Sequence, residues 1–224
     1  MNCFSRLVTV LKCRKDIWLA LKIDIDFIAF QKEWRRKNAH NSTTAGCKFD
    51  MGKIEVGNGT YGTLNVHCWD NPEEYIKIGN YCSIAENVNF LLGGEHPIHR
   101  ITTFPYSSHI LRMKSGEATA TKGPIVVEDD VWICYGATIL SGVTIGKGSV
   151  ISAGSIVAKD IPPYSIVING EVKRTRFSET VIEKMKDVDL SLLGEMTDID
   201  NANAILKTDI SEDNVDSITS QLVR

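Results

Sequence analysis

Aliphatic residues recur at every sixth position through the middle of the chain. Consecutive hexads run without a gap from 127 to 162, and each begins with a β-branched aliphatic residue: Val127, Ile133, Ile139, Ile145, Ile151 and Val157. Three further hexads begin at Ile78, Ile84 and Phe90. An amphipathic helix would repeat its apolar residues at spacings of three and four, so this pattern excludes a helix.

The hexad suits a short strand followed by a tight corner, and three hexads make one triangular coil. Residues eighteen apart should then stack at roughly 4.8 Å, the spacing of paired strands. The expected columns are Val127 over Ile145, Ile133 over Ile151 and Ile139 over Val157. Glycine recurs at the fourth position, where corners need backbone freedom, as Gly136, Gly142, Gly148 and Gly154. The pattern predicts a parallel β-helix, with a coincidentally spaced antiparallel sheet as the alternative.

Three regions follow from where the pattern starts and stops. Residues 1–50 have apolar and charged residues at helical spacings and predict an N-terminal helical cap on the solenoid. Residues 51–168 predict the β-helix, with a long inserted loop at 95–123. Residues 169–224 predict a C-terminal helix and a partly loose, acidic tail. The basic cluster at 32–37 is interpreted as a solvated helix face, with a membrane or glycolipid contact as the alternative.

Composition narrows the class of protein. The net charge of −3 gives no electrostatic basis for binding nucleic acid. No apolar stretch approaches the roughly 20 residues that a membrane-spanning helix needs, and we expect a cytoplasmic protein. The 6 cysteines have no CxxC spacing, so we expect reduced thiols and no structural zinc site.

Several segments together carry a family resemblance. They are IGNYCSIA at 78–85, GGEHP at 93–97, TFPY at 103–106 and VWI at 131–133. This combination resembles the xenobiotic-acetyltransferase branch of the hexapeptide-repeat acyltransferases, which includes chloramphenicol and streptogramin acetyltransferases and polysaccharide-cluster O-acetyltransferases. The resemblance implies an all-β, left-handed parallel β-helix, a homotrimer, acetyl-CoA as co-substrate and no metal.

The candidate base is His96, at the junction between a regular coil and the inserted loop. Acetyl transfer to a hydroxyl needs a base near the acceptor, and a neutral imidazole suits that task. A lone loop histidine is more often simply solvated, but the resemblance implies that His96 is the catalytic residue. His99 stands where family members often carry an acidic residue, and His99 and His109 could be surface, relay or supporting residues.

Other site residues are implied by the same resemblance. Trp132 is expected to contact the cofactor arm, although a packed strand residue is the alternative reading. The small residues expected to let an extended pantetheine approach the backbone are Gly136, Ala137, Ala153 and Gly154. Candidates for binding the phosphates are Lys159, Lys173, Arg174 and Arg176. Glu171 replaces a lysine that the family commonly has, and Tyr61 and Asp70 resemble acceptor-side residues.

The leading hypothesis is O-acetylation of a saccharide, either a surface polysaccharide or its precursor. Antibiotic O-acetylation and amino-sugar N-acetylation are alternatives, because the same base could serve each acceptor. A zinc-dependent γ-type carbonic anhydrase uses a related β-helix, but the repeat coils here contain no histidine. A non-enzymatic scaffold is the remaining alternative.

Overall fold

Short strands form the middle of the chain, between residues 42 and 175, in the structure, a computed structural model that describes residues 3–113 and 120–223. The strands are β1 (Ser42–Ala45), β2 (Ile54–Val56), β3 (Tyr61–His67), β4 (Ile76–Ile78), β5 (Ser83–Ile84), β6 (Asn89–Leu91), β7 (Ile125–Val127), β8 (Trp132–Ile133), β9 (Thr138–Leu140), β10 (Thr144–Ile145), β11 (Val150–Ile151), β12 (Ile156–Val157), β13 (Ser165–Ile168) and β14 (Glu171–Thr175).

Helices lie at the two ends of the chain and in the inserted loop. They are α1 (Cys3–Lys37), α2 (Tyr106–His109), α3 (Glu179–Met185), α4 (Ser191–Glu195), α5 (Ile199–Lys207) and α6 (Val215–Thr219), with a 3₁₀ turn at Met51–Lys53. Within the described ranges, none of these helices is long and apolar enough to cross a membrane.

The strands form the three faces of a β-helix. Face A contains β1, the start of β3, β5, β8, β11 and β13, and face B contains β2, β4, β7 and β10. Face C contains the end of β3, β6, β9 and β12. Neighbouring strands on each face pair in parallel, and each coil runs from face B to face A to face C. The predicted parallel β-helix is confirmed.

The interior consists of the aliphatic columns that the hexads predicted. Ile145 pairs with Val127, Ile151 with Ile133 and Val157 with Ile139. All six side chains are buried, at most 1% exposed. The columns continue upward, because Ile78, Ile84 and Phe90 pair with the same first-position residues of the next coil. Burial of these columns is the main source of stability, since apolar area removed from water contributes about 25 cal/mol per Å².

Two irregular segments leave the helix at the same place. Each coil turns from face C to face B at one edge, which we call the C–B edge. Residues 68–75 leave this edge after β3, and residues 92–124 leave it after β6. The shorter segment is held by the buried carboxylate of Glu74, which accepts hydrogen bonds from the Trp69 amide and from Lys53 Nζ at 3.0 Å. The inserted loop therefore lies beside a second, shorter excursion.

Helix α1 contacts the solenoid through its C-terminal end. The Trp34 side chain is 1% exposed, its ring centroid lies 5.1 Å from that of Phe49, and its Nε1 donates to Thr43 Oγ1 at 3.1 Å. Phe30 packs on the same Phe49 ring. A capping role for residues 1–50 stays a prediction, because between residues 16 and 28 the described side chains of the helix are largely exposed.

The C-terminal region differs from the expected single helix with a loose tail. Strand β14 turns back antiparallel on β13, and α3 to α6 follow. These helices bury their own small cluster around Val188, Ile218 and Leu222. Tyr164 Oη donates to the carbonyl of Met185 at 3.1 Å and joins that cluster to the β-helix. The apolar residues of this acidic segment are too irregularly spaced to reveal the cluster in the sequence.

Candidate active site

The base of the inserted loop is closed by backbone pairing. The Glu95 amide donates to the Ala120 carbonyl at 3.1 Å, and the Ala120 amide donates back at 3.1 Å. Lys122 Nζ lies 3.0 Å from Glu95 Oε1 and adds an ion pair at the same point. His96, the residue after Glu95, is therefore held where the loop leaves the β-helix.

A glycine shapes the backbone just before His96. Gly94 has φ +89°, a conformation that other residues adopt with strain. A Cβ atom built on Gly94 would lie 2.8 Å from Cε2 of Trp69, so the indole ring packs directly against this glycine. Trp69 belongs to the shorter excursion at the C–B edge and was not predicted as a site residue. The position of Trp69 in an irregular segment of the repeat was a signal of a functional role, but its contact with Gly94 could not be predicted from the sequence.

A backbone carbonyl sets the tautomer of His96. Its Nδ1 atom lies 2.7 Å from the carbonyl oxygen of Thr103. A carbonyl oxygen only accepts, so Nδ1 carries the proton and Nε2 of the neutral ring keeps its lone pair. The His96 side chain is exposed. The ring can accept a proton at Nε2, as a general base must. No sequence signal identifies the Thr103 carbonyl, because every residue has one.

The loop forms a half-open cavity of about 550 Å³, and His96 is one of the residues that line it. Its wall includes His99 and the apolar side chains of Ile98, Ile101 and Phe104. The His109 ring lies outside this lining, with its centroid 5.7 Å from that of Phe104 and its Nδ1 3.1 Å from Ser108 Oγ. The cavity therefore offers both apolar and polar surface to a small acceptor.

Trp132 and Tyr61 lie on face A, away from that cavity. Trp132 is 53% exposed and Tyr61 54%, so the reading of Trp132 as a packed strand residue is wrong. Tyr61 pairs with Ser83, which pairs with Trp132, so the two aromatic residues begin β3 and β8 in one outward-facing column, with β5 between them. Both side chains are exposed on the same face, and one strand separates them.

The small residues predicted to line the pantetheine slot lie at the edge between faces A and C, which we call the A–C edge. At Gly136 and Gly154, with φ +69° and +68°, an added Cβ would meet nothing within 4 Å, and Ala153 beside them is exposed. The amides of both glycines already donate to other corners of the β-helix, to the carbonyls of Glu86 and Tyr135. This edge is open enough for an extended chain, but these two amides are not available to it.

Ala137 does not belong to this surface. Its side chain is 0% exposed and points into the β-helix, and its amide donates to the carbonyl of Cys134 at 3.3 Å. Ala137 occupies the fifth position of a hexad, which is an inward position, so its assignment to the cofactor slot was wrong. The hexad position of Ala137 in the sequence was enough to predict that its side chain is buried.

The predicted phosphate-binding cations are exposed, with one exception. Lys159, Lys173 and Arg174 are exposed, although Lys173 Nζ lies 2.6 Å from Glu171 Oε2. The Lys173 side chain lowers the pKa of Glu171, so this carboxylate stays charged beside it. Arg176 is instead part of the fold, since it donates to the Gly148 carbonyl at 2.7 Å.

Within a single chain, the predicted site residues lie in two separate places. Asp70, exposed and with φ +62°, lies on the C–B edge with His96, whereas its predicted acceptor-side partner Tyr61 lies on face A with Trp132. His96 and the exposed aromatic column therefore occupy different sides of the prism. In the part of the chain that the structure describes, no group of three or more His, Cys, Asp or Glu residues is arranged to hold a metal ion.

Comparison with known proteins agrees with this architecture. The family model described as bacterial transferase hexapeptide (six repeats) matches residues 124–159. A chloramphenicol acetyltransferase from Escherichia coli is 33% identical over 154 residues, which cover 60% of this chain and 73% of the relative. A galactoside O-acetyltransferase from Escherichia coli (strain K12) is 41% identical over 110 residues, which cover 49% of this chain and 47% of the relative.

The chain also aligns with solved structures. A hexapeptide-repeat acetyltransferase from Vibrio cholerae O1 biovar eltor, in complex with acetyl-CoA, aligns with a TM-score of 0.48 and 26% sequence identity over 67% of this chain and 78% of that chain. The chain belongs to the hexapeptide-repeat acetyltransferases. It is an acetyltransferase, its family uses acetyl-CoA as co-substrate, and the family fold implies that the β-helix is left-handed.

Proposed function

We propose that the chain transfers the acetyl group of acetyl-CoA to a hydroxyl group of a saccharide, with His96 as the general base. The observation that carries this proposal is the 2.7 Å hydrogen bond from His96 Nδ1 to the Thr103 carbonyl. It fixes the tautomer in which Nε2 accepts a proton. The ring stands at the mouth of a cavity large enough for a small acceptor.

His96 acts twice in the proposed reaction. Nε2 takes the hydroxyl proton while the acceptor oxygen bonds to the thioester carbonyl carbon. As the carbon–sulfur bond breaks, the imidazolium returns that proton to the departing CoA thiolate. The products are an O-acetyl ester and CoA, and the base is regenerated. No acyl-enzyme is required.

The cysteines support direct transfer. A thiol must ionise to act as a nucleophile, and burial raises the pKa of Cys82 to about 12. Burial also raises the pKa of the other cysteines whose side chains are described, which are Cys47, Cys68 and Cys134. These thiols are free and stay protonated near neutral pH. Reduced thiols and the use of acetyl-CoA agree with the proposed cytoplasmic location.

For the acetyl-CoA site, we propose the exposed face of Trp132 and the open A–C edge at Gly136, Ala153 and Gly154. The extended pantetheine is placed along Gly136, Ala153 and Gly154, where a side chain is absent or ends at Cβ, and it would pass beside the exposed ring of Tyr135. The cations assigned to the CoA phosphates are Lys159, Lys173 and Arg174. Of these, Lys173 must share its charge with Glu171, so its contribution should be the smallest.

The separation of the two parts of the site supports our proposal of a homotrimer. His96 lies on the C–B edge, while Trp132 lies on face A of the same chain. We propose that the loop of one copy completes the cofactor groove of its neighbour. Cyclic assemblies of identical chains create such shared grooves by repeating one contact. A fully active monomer in sedimentation analysis would contradict this arrangement.

The acceptor is proposed to be a saccharide, with Tyr61 and Asp70 on the acceptor side. The galactoside O-acetyltransferase relative supports this class. An antibiotic hydroxyl is the second candidate, because Ile98, Ile101 and Phe104 give the cavity an apolar wall and a chloramphenicol acetyltransferase is among the relatives. An apolar wall of this kind suits an aromatic or macrocyclic acceptor.

A panel of acceptors tests the proposal. Purified protein is incubated with acetyl-CoA and each of galactosides, amino sugars, chloramphenicol and a macrolide, and the released CoA thiol is measured. Product mass and sensitivity to mild alkali separate esters from amides. Ester formation on a saccharide supports the proposal. Preferential acetylation of chloramphenicol or the macrolide would replace the saccharide, and an amide product would replace O-acetylation.

A further inference from the structure

Large apolar side chains on α1 are exposed in the single chain. Trp18 is 69% exposed, Leu21 48%, Ile25 63% and Ile28 50%. We call these four residues the heptad seam. The helix contacts the solenoid further along, at Trp34. A row of large apolar side chains left in water over three turns marks a surface that another molecule covers.

The spacing of the seam identifies the kind of molecule that covers it. Its residues follow one another at intervals of three, four and three, which is the alternation of a and d positions in a coiled coil. In the sequence the same alternation continues toward the N-terminus at Leu11, Leu7 and Phe4, with Arg14 as the interruption. Such a seam is filled by a helix with the same repeat, and every other copy of this chain supplies one.

Charge beside residues 18–28 disfavours a lipid surface as the occupant of this part of the helix. The charged residues between positions 16 and 28 are Asp16, Lys22, Asp24 and Asp26, so this segment has a net negative charge, whereas the basic residues Arg6, Lys12, Arg14 and Lys15 all lie upstream of it. Helices that lie on anionic membranes carry lysine and arginine beside their apolar face. Acidic side chains flanking a seam are well tolerated in a coiled coil, where they remain in water.

We propose that the α1 helices of neighbouring copies of this chain pack in parallel along the heptad seam. Rotational symmetry makes the helices parallel, because every copy presents the same end in the same direction. Isoleucine at consecutive a and d positions, Ile25 and Ile28, favours more than two strands. The seam adds a second interface to the trimer proposed above, and it requires neither the saccharide acceptor nor the assignment of His96.

Two matched double variants test the seam. Ile25→Lys/Ile28→Lys disrupts it, and Leu19→Lys/Ile23→Lys changes two residues that are equally exposed in the single chain, at 60% and 57%. Lysine has a higher helix propensity than isoleucine and a similar one to leucine, so neither variant weakens the helix itself. Backbone amide exchange of residues 16–28 is followed by mass spectrometry in the full-length protein at micromolar concentration.

The wild-type protein and the Leu19/Ile23 variant should both show slow exchange in this segment. The Ile25/Ile28 variant should exchange at least about tenfold faster, because an isolated, exposed helix opens readily. Equal exchange in the two variants, or unprotected amides in the wild type, would overturn the proposal. Co-sedimentation of the wild type with phosphatidylglycerol vesicles, lost in the Ile25/Ile28 variant, would assign the seam to a membrane instead. Acceptor acetylation is measured separately, so failure of the proposed function is read independently.

Discussion

The Nδ1 atom of His96 lies 2.7 Å from the carbonyl oxygen of Thr103, further along the same inserted loop. This hydrogen bond commits the proton of the neutral ring to Nδ1. It also ties the ring orientation to the path of the loop backbone. The proposed base is therefore positioned by the conformation of the loop, through a backbone carbonyl.

The first prediction concerns the base. His96→Ala should lower kcat by about 10² to 10⁴, the usual value of general-base catalysis, and should leave acetyl-CoA affinity within a few-fold. His99→Ala is the matched control, because His99 is exposed in the same cavity wall. Steady-state kinetics and calorimetry with CoA measure the two effects. If His96→Ala turns over normally, the base is wrongly assigned, and His99 or His109 is tested next.

The second prediction concerns the cofactor groove. Trp132→Ala should weaken acetyl-CoA binding and raise its KM, because the exposed indole is proposed to form a wall of the pantetheine slot. Trp132→Phe keeps a flat aromatic ring and should recover part of the affinity. Calorimetric titration with CoA compares both variants with the wild type. Unchanged CoA affinity in Trp132→Ala would remove face A from the proposed groove.

The β-helix was predictable from the sequence because one local rule is repeated in every coil. An inward aliphatic residue such as Ile139 recurs every sixth position, and its stacking partner Val157 follows eighteen residues later. The same rule places Ala137 inside, and its assignment to the cofactor slot ignored that rule. Where the hexad repeat is regular, the position of a residue in the hexad determines whether its side chain points into the β-helix or toward solvent.

The site was less predictable, because its geometry depends on atoms that the sequence does not distinguish. The Thr103 carbonyl and the packing of Trp69 on Gly94 follow from the paths of two loops, and no periodicity encodes these paths. The C-terminal helices were missed for a related reason. Their apolar residues, such as Val188 and Leu222, come together only after several short turns.

A third prediction tests the core. Ile145→Asp should prevent folding, because an unpaired carboxylate in a stacked aliphatic column costs several kcal/mol. The matched control is Ile156→Asp. Ile156 is the same residue type in strand β12 of the same β-helix, but it is 61% exposed, whereas Ile145 is 0% exposed. Thermal unfolding followed by circular dichroism should show near wild-type melting for the control alone, and wild-type melting of Ile145→Asp would show that the hexad register is wrong.

The last prediction concerns the glycine that precedes the base. Gly94→Ala places a methyl group 2.8 Å from the Trp69 ring, at a φ of +89° that alanine adopts with strain. The ring or the backbone must move, and His96 is two residues away. We expect kcat to fall at least tenfold, since small misplacements of a catalytic group are costly. Gly123→Ala is the control, because Gly123 also has a positive φ, +115°, but a Cβ there would meet nothing within 4 Å.

Both glycine variants should lose stability from backbone strain, of order 1 to 3 kcal/mol, and Gly94→Ala should lose more because its methyl group also meets the Trp69 ring. Only Gly94→Ala should lose activity, because only there does the added methyl group meet the indole ring. Replacing Trp69 with alanine in the Gly94→Ala background removes the obstacle and should restore part of kcat. The measurement is a double-mutant cycle of kcat with thermal unfolding of each variant. Additive losses in the cycle would mean that Trp69 does not act on His96 through Gly94.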